Sequence, residues 1–110
     1  MAAHFELKAA AHYQFMFNLK AANGEIILTS ETYKSKEGAL NGIESVRTNS
    51  AHDEQYERKV STSSKPFFVL KAKNHETIGR SELYSSEAAR EKGIESVKTN
   101  GPKATLHDIT

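Results

Sequence analysis

Two short segments carry the same polar signature, Ser30-Glu31-x-Tyr33 and Ser81-Glu82-x-Tyr84. A hydroxyl, a carboxylate and a phenol at this spacing can line twin pockets. They can equally turn a strand into a helix, with the ring packing and the hydroxyl satisfying open backbone, and that second reading is the simpler one. The five histidines, His4, His12, His52, His75 and His107, show neither HxH nor HExxH spacing, and the chain has no cysteine. A zinc site would need scattered ligands, so no metal is expected. Neither a G-x-S-x-G elbow nor a phosphate loop nor a dinucleotide fingerprint occurs, and no serine or carboxylate is marked as activated. The sequence therefore assigns no catalytic residue and no cofactor.

Cations interleave with aromatics in Tyr56-Glu57-Arg58-Lys59 and in the run from Lys65 to Lys71. This pattern suits weak single-strand binding, in which bases stack on rings and cations meet phosphates. Strand alternation turns Phe68 and Leu70 inward, which leaves Phe67 and Tyr56 as platforms and Arg58 and Lys71 as the cations. Arg90 is a further candidate, because it breaks an apolar helical stripe one turn from a helix start, where an arginine favours an anion. Snorkelling, or pairing with a carboxylate such as Glu82, is the plainer account. The formal charge is +1, and a pI near 8.0 is mild for a nucleic-acid protein. Residues 1–55 hold 5 Lys/Arg against 7 Asp/Glu, while residues 56–110 hold 10 against 7. An acidic half thus precedes a basic one, an asymmetry that can orient an encounter.

The elements that position these residues come in duplicate. Phe17-Asn18-Leu19-Lys20-Ala21 returns 51 positions later as Phe68-Val69-Leu70-Lys71-Ala72, and Gly42-Ile43-Glu44-Ser45-Val46 as Gly93-Ile94-Glu95-Ser96-Val97. Two copies are too few for a solenoid, so one closed pseudo-two-fold domain over 1–110 is expected, with repeats at about 5–55 and 56–108. Alternation predicts strands at Phe5–Lys8, Phe15–Ala21 and Glu25–Ser30, the last two joined through Asn23-Gly24 with positive φ at both turn residues. Met16, Ile26 and Leu28 are expected on the face away from the shared apolar stripe. A helix follows from about Lys36 to Thr48, with Ser35 as N-cap and Asn49 as a left-handed stop; Ser86 and Asn100 repeat those roles. The stripe Ala39, Ile43, Val46 should lie on the sheet. Gly101-Pro102 breaks the chain, and Ala104–Asp108 reads as a closing strand.

Leu19-Lys20-Ala21-Ala22-Asn23-Gly24, the Ser-Glu-x-Tyr runs, the Gly-Ile-Glu-Ser-Val helix cores, Tyr56-Glu57-Arg58-Lys59 and the tail Asp108-Ile109-Thr110 together resemble the YegP family of small bacterial proteins. The resemblance implies an α+β fold of two β-β-β-α-β repeats with helices packed on antiparallel sheet, and it implies no reaction or cofactor. The reading from sequence is a soluble cytoplasmic, non-enzymatic binding or interaction module, monomeric or weakly dimeric. Its partner is expected to be a protein or a small anionic ligand. Weak single-stranded nucleic-acid binding through the basic second copy and an enzyme acting on a small anion are the alternatives. Met1–Lys8 lacks the pattern of a leader, and no apolar run approaches the roughly 20 residues of a membrane span.

Overall fold

The computed structural model describes residues 2–110. Each copy supplies three antiparallel strands and a helix: β1 (His4–Ala10), β2 (Gln14–Lys20), β3 (Ile26–Ser30) and α1 (Lys36–Asn49), then β4 (Tyr56–Val60), β5 (Pro66–Lys71), β6 (Thr77–Arg80) and α2 (Glu87–Asn100). A last strand, β7 (Thr105–Asp108), closes the chain. All seven strands share one sheet in the order β4-β5-β6-β3-β2-β1-β7. The copies meet where β3 pairs antiparallel with β6 through Thr29 and Arg80. Those two residues are equivalent in the duplication, so the pseudo-dyad passes between them.

Both helices cover one face. Phe5, Leu7, Phe17, Leu19, Phe68 and Leu70 are sealed beneath Ala39, Ile43 and Val46 of α1 and Ile94 and Val97 of α2. The apolar stripe read from the sequence is therefore the core contact. The ring of Tyr33 stacks on Phe17 at 6.2 Å and that of Tyr84 on Phe68 at 6.3 Å. β7 differs from the other strands in lying parallel to β1, with His4 opposite Thr105 and Leu7 opposite Asp108. Its sequence register makes it the first strand of a third repeat. The place next to β2 is already held by β1, so β7 takes the adjoining edge.

Local chemistry explains three departures from expectation. The hairpin after β2 has positive φ at Gly24 alone (85°), and its partner after β5 has it at His75 alone (70°). Gly24 donates to the Ala21 carbonyl and Ala21 to the Glu25 carbonyl, each at 2.9 Å. That is a type I turn followed by one left-handed residue and a bulge, rather than a two-residue turn. The bulge, seen as a register shift at Leu19/Lys20, carries Leu28 to the helix side, where it is fully buried. Met16 and Ile26 alone keep the face away from the stripe. Asn49 and Asn100 are not left-handed stops either. The side chain of each donates back to a carbonyl one turn earlier, of Ser45 at 2.8 Å and of Ser96 at 2.9 Å. Ser35 and Ser86 cap the helix starts, accepting from Gly38 and Ala89 at 3.0 and 3.1 Å.

Candidate functional site

In the Ser-Glu-x-Tyr segments the serine is structural. Ser30 accepts the Phe17 amide at 2.8 Å and donates to the Glu31 carbonyl at 2.7 Å. Ser81 does the same with Phe68 at 3.0 Å and Glu82 at 2.8 Å. A hydroxyl engaged as both donor and acceptor to main chain has no base beside it and is not a nucleophile. The glutamate and tyrosine take a different course. Glu31 and Tyr33 line a cleft of about 360 Å³ between α1 and the β5–β6 hairpin, together with Asn41, Ser45, Glu76 and Thr77.

The phenol of Tyr33 reaches the cleft because Gly42 lets it. A Cβ at Gly42 would collide with the Tyr33 hydroxyl and would stand 2.7 Å from Cζ of the ring. Burial, then the charges of Glu31 and Glu76, raises the pKa of Tyr33 above the usual tyrosine value, so the hydroxyl stays protonated and can donate. The pseudo-dyad repeats the geometry. Tyr84 lies under Gly93, with Cζ 2.7 Å from the Cβ position, and burial followed by Glu82 and Glu25 raises its pKa. In the second copy Lys92 stands in register with Asn41, whereas the α1 wall of the cleft, with Gly38, Asn41, Gly42 and Ser45, brings no cation.

The four candidates read from the sequence are not brought together. Arg58 and Arg90 lie on the helix side, both held by one carboxylate. Arg58 donates from Nε to Glu91 at 2.9 Å and from Nη2 to Asp53 at 3.0 Å, and these acids raise its pKa further. Arg90 donates from Nε to Glu91 at 3.0 Å, with only 11% of its side chain exposed. Its partner is thus the next residue and not Glu82, and its charge is already answered, which removes the reason to place an anion there. The duplication explains why an arginine is buried at all. Arg58, Arg90 and Glu91 occupy the positions of Leu7, Ala39 and Leu40, so an ionic trio in one copy replaces an apolar trio in the other. Phe67 and Lys71 lie on the helix-free face, and Lys71 pairs with Glu57 at 3.0 Å. Tyr56, the other platform considered, is buried, and its hydroxyl donates to the Ser50 carbonyl at 2.7 Å.

Sequence reasoning missed Glu76, Asn41 and Ser45. These come from a hairpin and a helix of different copies, and no local spacing joins them. It also missed that the lysines of both copies share a face. The available signal was Lys8 and Lys20 recurring as Lys59 and Lys71 at the 51-residue offset.

A duplicated β-β-β-α unit, joined across one sheet with a tyrosine ring packed beneath a helix glycine in each copy, defines the structural class. Within it, the domain of unknown function DUF1508 matches residues 10–57 and again 61–108, and the chain belongs to that family, the UPF0339 proteins that include YegP. It is 56% identical to a UPF0339 protein of Acinetobacter baylyi, across 100% of this chain and 99% of that one. It is 52% identical to UPF0339 protein YegP of Escherichia coli, across 100% of both. The solution NMR structure of the Shewanella oneidensis UPF0339 protein matches with a TM-score of 0.93 at 53% identity, covering 100% of this chain and 93% of that one. That of YegP from E. coli, titled a protein of unknown function, matches at 0.94 and 52%, covering 100% and 95%. Both confirm the α+β fold and its duplication. No helix among the described residues is long and apolar enough to cross a membrane.

Proposed function

We propose that the protein is a non-enzymatic binding module whose α1 cleft takes a small ligand bearing an ammonium or guanidinium group. The observation that carries this is a cleft lined by Tyr33 together with Glu31 and Glu76 and by no cation, the nearest being Arg80, 3.9 Å from Glu31 and outside the lining. Two carboxylates complement a cation, while Asn41, Ser45 and Thr77 supply further acceptors. The same charge argues against the small anion expected from the sequence. Support for binding without reaction comes from the serines, whose hydroxyls are committed to the main chain, and from a phenol that is a poor base at neutral pH.

Titration of the 15N-labelled protein with putrescine tests the reading. Shifts should concentrate on the amides of Glu31, Tyr33, Asn41 and Glu76 and disappear in Glu31→Gln/Glu76→Gln. Absence of any such shift at millimolar putrescine, methylammonium and guanidinium would sink it.

A further inference from the structure

We propose that the helix-free face of the sheet binds single-stranded nucleic acid, using cations contributed by both copies. This surface lies on the side of the sheet away from the helices; its one link to the cleft is Glu31, 3.9 Å from Arg80, and the variants below change neither residue.

The strand register fixes what the face presents. One row crosses the whole sheet, from Glu57 on β4 through Arg80 and Thr29 at the pseudo-dyad to Glu6 and His107. Flanking it, Lys59 is opposite Phe67 and Lys8 is opposite Met16. Lys20 and Lys71 stand at the hairpin ends of β2 and β5 on the same face. Five cations therefore face three carboxylates, Glu6, Glu57 and the Glu31 beside Arg80, on one side of a molecule whose formal charge is only +1.

Three of these cations remain available to a phosphate. Lys20 is taken up by Glu6 at 3.1 Å and Lys71 by Glu57 at 3.0 Å. Lys8 has no carboxylate within ion-pair distance among the described residues, and Lys59 stands 3.7 Å from a Glu57 already engaged by Lys71. Arg80 is 3.9 Å from Glu31, with 63% of its side chain exposed. Because Lys8 and Lys59 are symmetry mates on either side of Arg80, the three form a line across the face that an extended phosphodiester can follow. Beside Lys59 the half-buried Phe67 offers a ring, and at the other end His4 and His107 are stacked at 4.1 Å. Rings next to cations on an open sheet select a strand whose bases are unpaired, since a duplex hides the base faces. A polyanion without bases would use the lysines and ignore Phe67.

The test is fluorescence anisotropy of a labelled oligouridylate decamer at low salt, followed by a salt titration. Three phosphate contacts should give a log–log salt slope of about −2, at roughly 0.7 per contact for a single strand. Lys8→Glu/Lys59→Glu should weaken binding at least tenfold and bring the slope to about −0.7. Phe67→Ala should weaken it roughly fivefold or more with the slope unchanged. Lys92→Glu, which makes one such charge reversal on an exposed helix position, should leave binding intact. Chemical-shift mapping on the wild-type protein needs no variant and should mark Lys8, Lys59, Phe67 and Arg80. No binding at low salt, an equal loss in Lys92→Glu, or shifts confined to α1 and α2 would each overturn the proposal. So would indifference to Phe67→Ala together with equal displacement by heparin, which would make the face a generic polyanion surface.

Discussion

Gly42 and Gly93 cost their helices roughly 1 kcal/mol each in intrinsic propensity relative to alanine, and the tyrosines beneath them are the reason. With ring carbons 2.7 Å from each Cβ position and Phe17 at 3.0 Å from that of Gly42, alanine must displace a ring that is itself stacked on the core. Gly42→Ala and Gly93→Ala should each lower the urea-unfolding free energy by about 1 to 3 kcal/mol despite better helix propensity. A higher urea midpoint in both variants would mean that the rings swing away freely. The opposite sign belongs to His75, which holds φ at 70° where the first copy has Gly24. His75→Gly should stabilise by about 1 kcal/mol, measured by thermal melts. The tyrosines also set an alkaline limit. Burial raises the pKa of Tyr33, Tyr56 and Tyr84, so their contribution to stability is complete below the unfolded-state value near 10 and is lost as pH rises through the folded values. Ultraviolet titration of phenolate should show these three ionising above the unfolded-state range and in step with unfolding. The glycines were legible from sequence because retention at equivalent, costly positions demands a packing reason. The turn was not, because Asn-Gly fits two hairpin geometries, and the choice between them rests on whether Ala21 bonds to Gly24 or closes the ladder directly.

Between elements, the informative comparison is how β4 and α2 are joined where β1 and α1 use an apolar contact. Glu91 holds Arg58 and Arg90, while Asp53 holds Arg58 and Lys98, the latter at 2.7 Å. Removing one partner from such a cluster is worse than removing all of it, because half-buried cations are then left facing each other. Glu91→Ala should destabilise by about 1 to 2 kcal/mol, reduced from the fully buried case by its exposure. The triple change Arg58→Leu, Arg90→Ala and Glu91→Leu, which copies the first repeat, should be neutral or stabilising in urea unfolding. If the triple variant loses more than the single one, the trio is favourable in its own right. Acid should loosen the same seam and the β7 latch. Hydrogen bonds from Arg58 hold the Glu91 pKa below the carboxylate range, and those from Lys98 hold that of Asp53 below it. Lys36, 2.5 Å from Asp108 on β7, brings the Asp108 value down to about 2. Depressed values mean stability that is present above the unfolded pKa near 4 and lost as pH falls through the folded values. The trio was visible in the sequence as three coordinated replacements at one offset. What it did not reveal was that the three positions touch, and so Arg90 read as an isolated anomaly.

At the scale of the whole molecule the two copies depart from symmetry where the pseudo-dyad brings equivalent residues face to face. Leu28 is fully buried, and its mate Gly79 has a Cβ position 3.1 Å from the Leu28 side chain and 2.7 Å from the Thr29 carbonyl. Ser50 is likewise fully buried, and its mate Gly101 has a Cβ position that collides with the Ser50 hydroxyl and lies 2.8 Å from its Cβ. At an axis a residue meets its own mate, so a large side chain on both sides overfills the gap and a glycine on both leaves it empty. A tandem fusion escapes that constraint because each copy can vary alone, and here both gaps are filled large-against-glycine. The repeat alignment exposes these mismatches, yet without the sheet order they read as drift, since nothing in the chain marks positions 28 and 79 as neighbours. The arrangement predicts a particular pattern of coupling. Gly101→Ser should destabilise by about 1 to 3 kcal/mol through overpacking, although Gly101 has ordinary helical dihedrals that any residue adopts. Ser50→Gly alone should cost less, because the Ser50 hydroxyl is buried without a hydrogen-bond partner and its loss strands nothing. The double variant Ser50→Gly/Gly101→Ser restores one large and one small residue at the axis. It should recover most of the Gly101→Ser loss, giving a coupling energy of about 1 kcal/mol or more in a double-mutant cycle of urea unfolding. Strict additivity would show that the two positions do not share one space, and that the asymmetry at the axis is incidental to how the copies close.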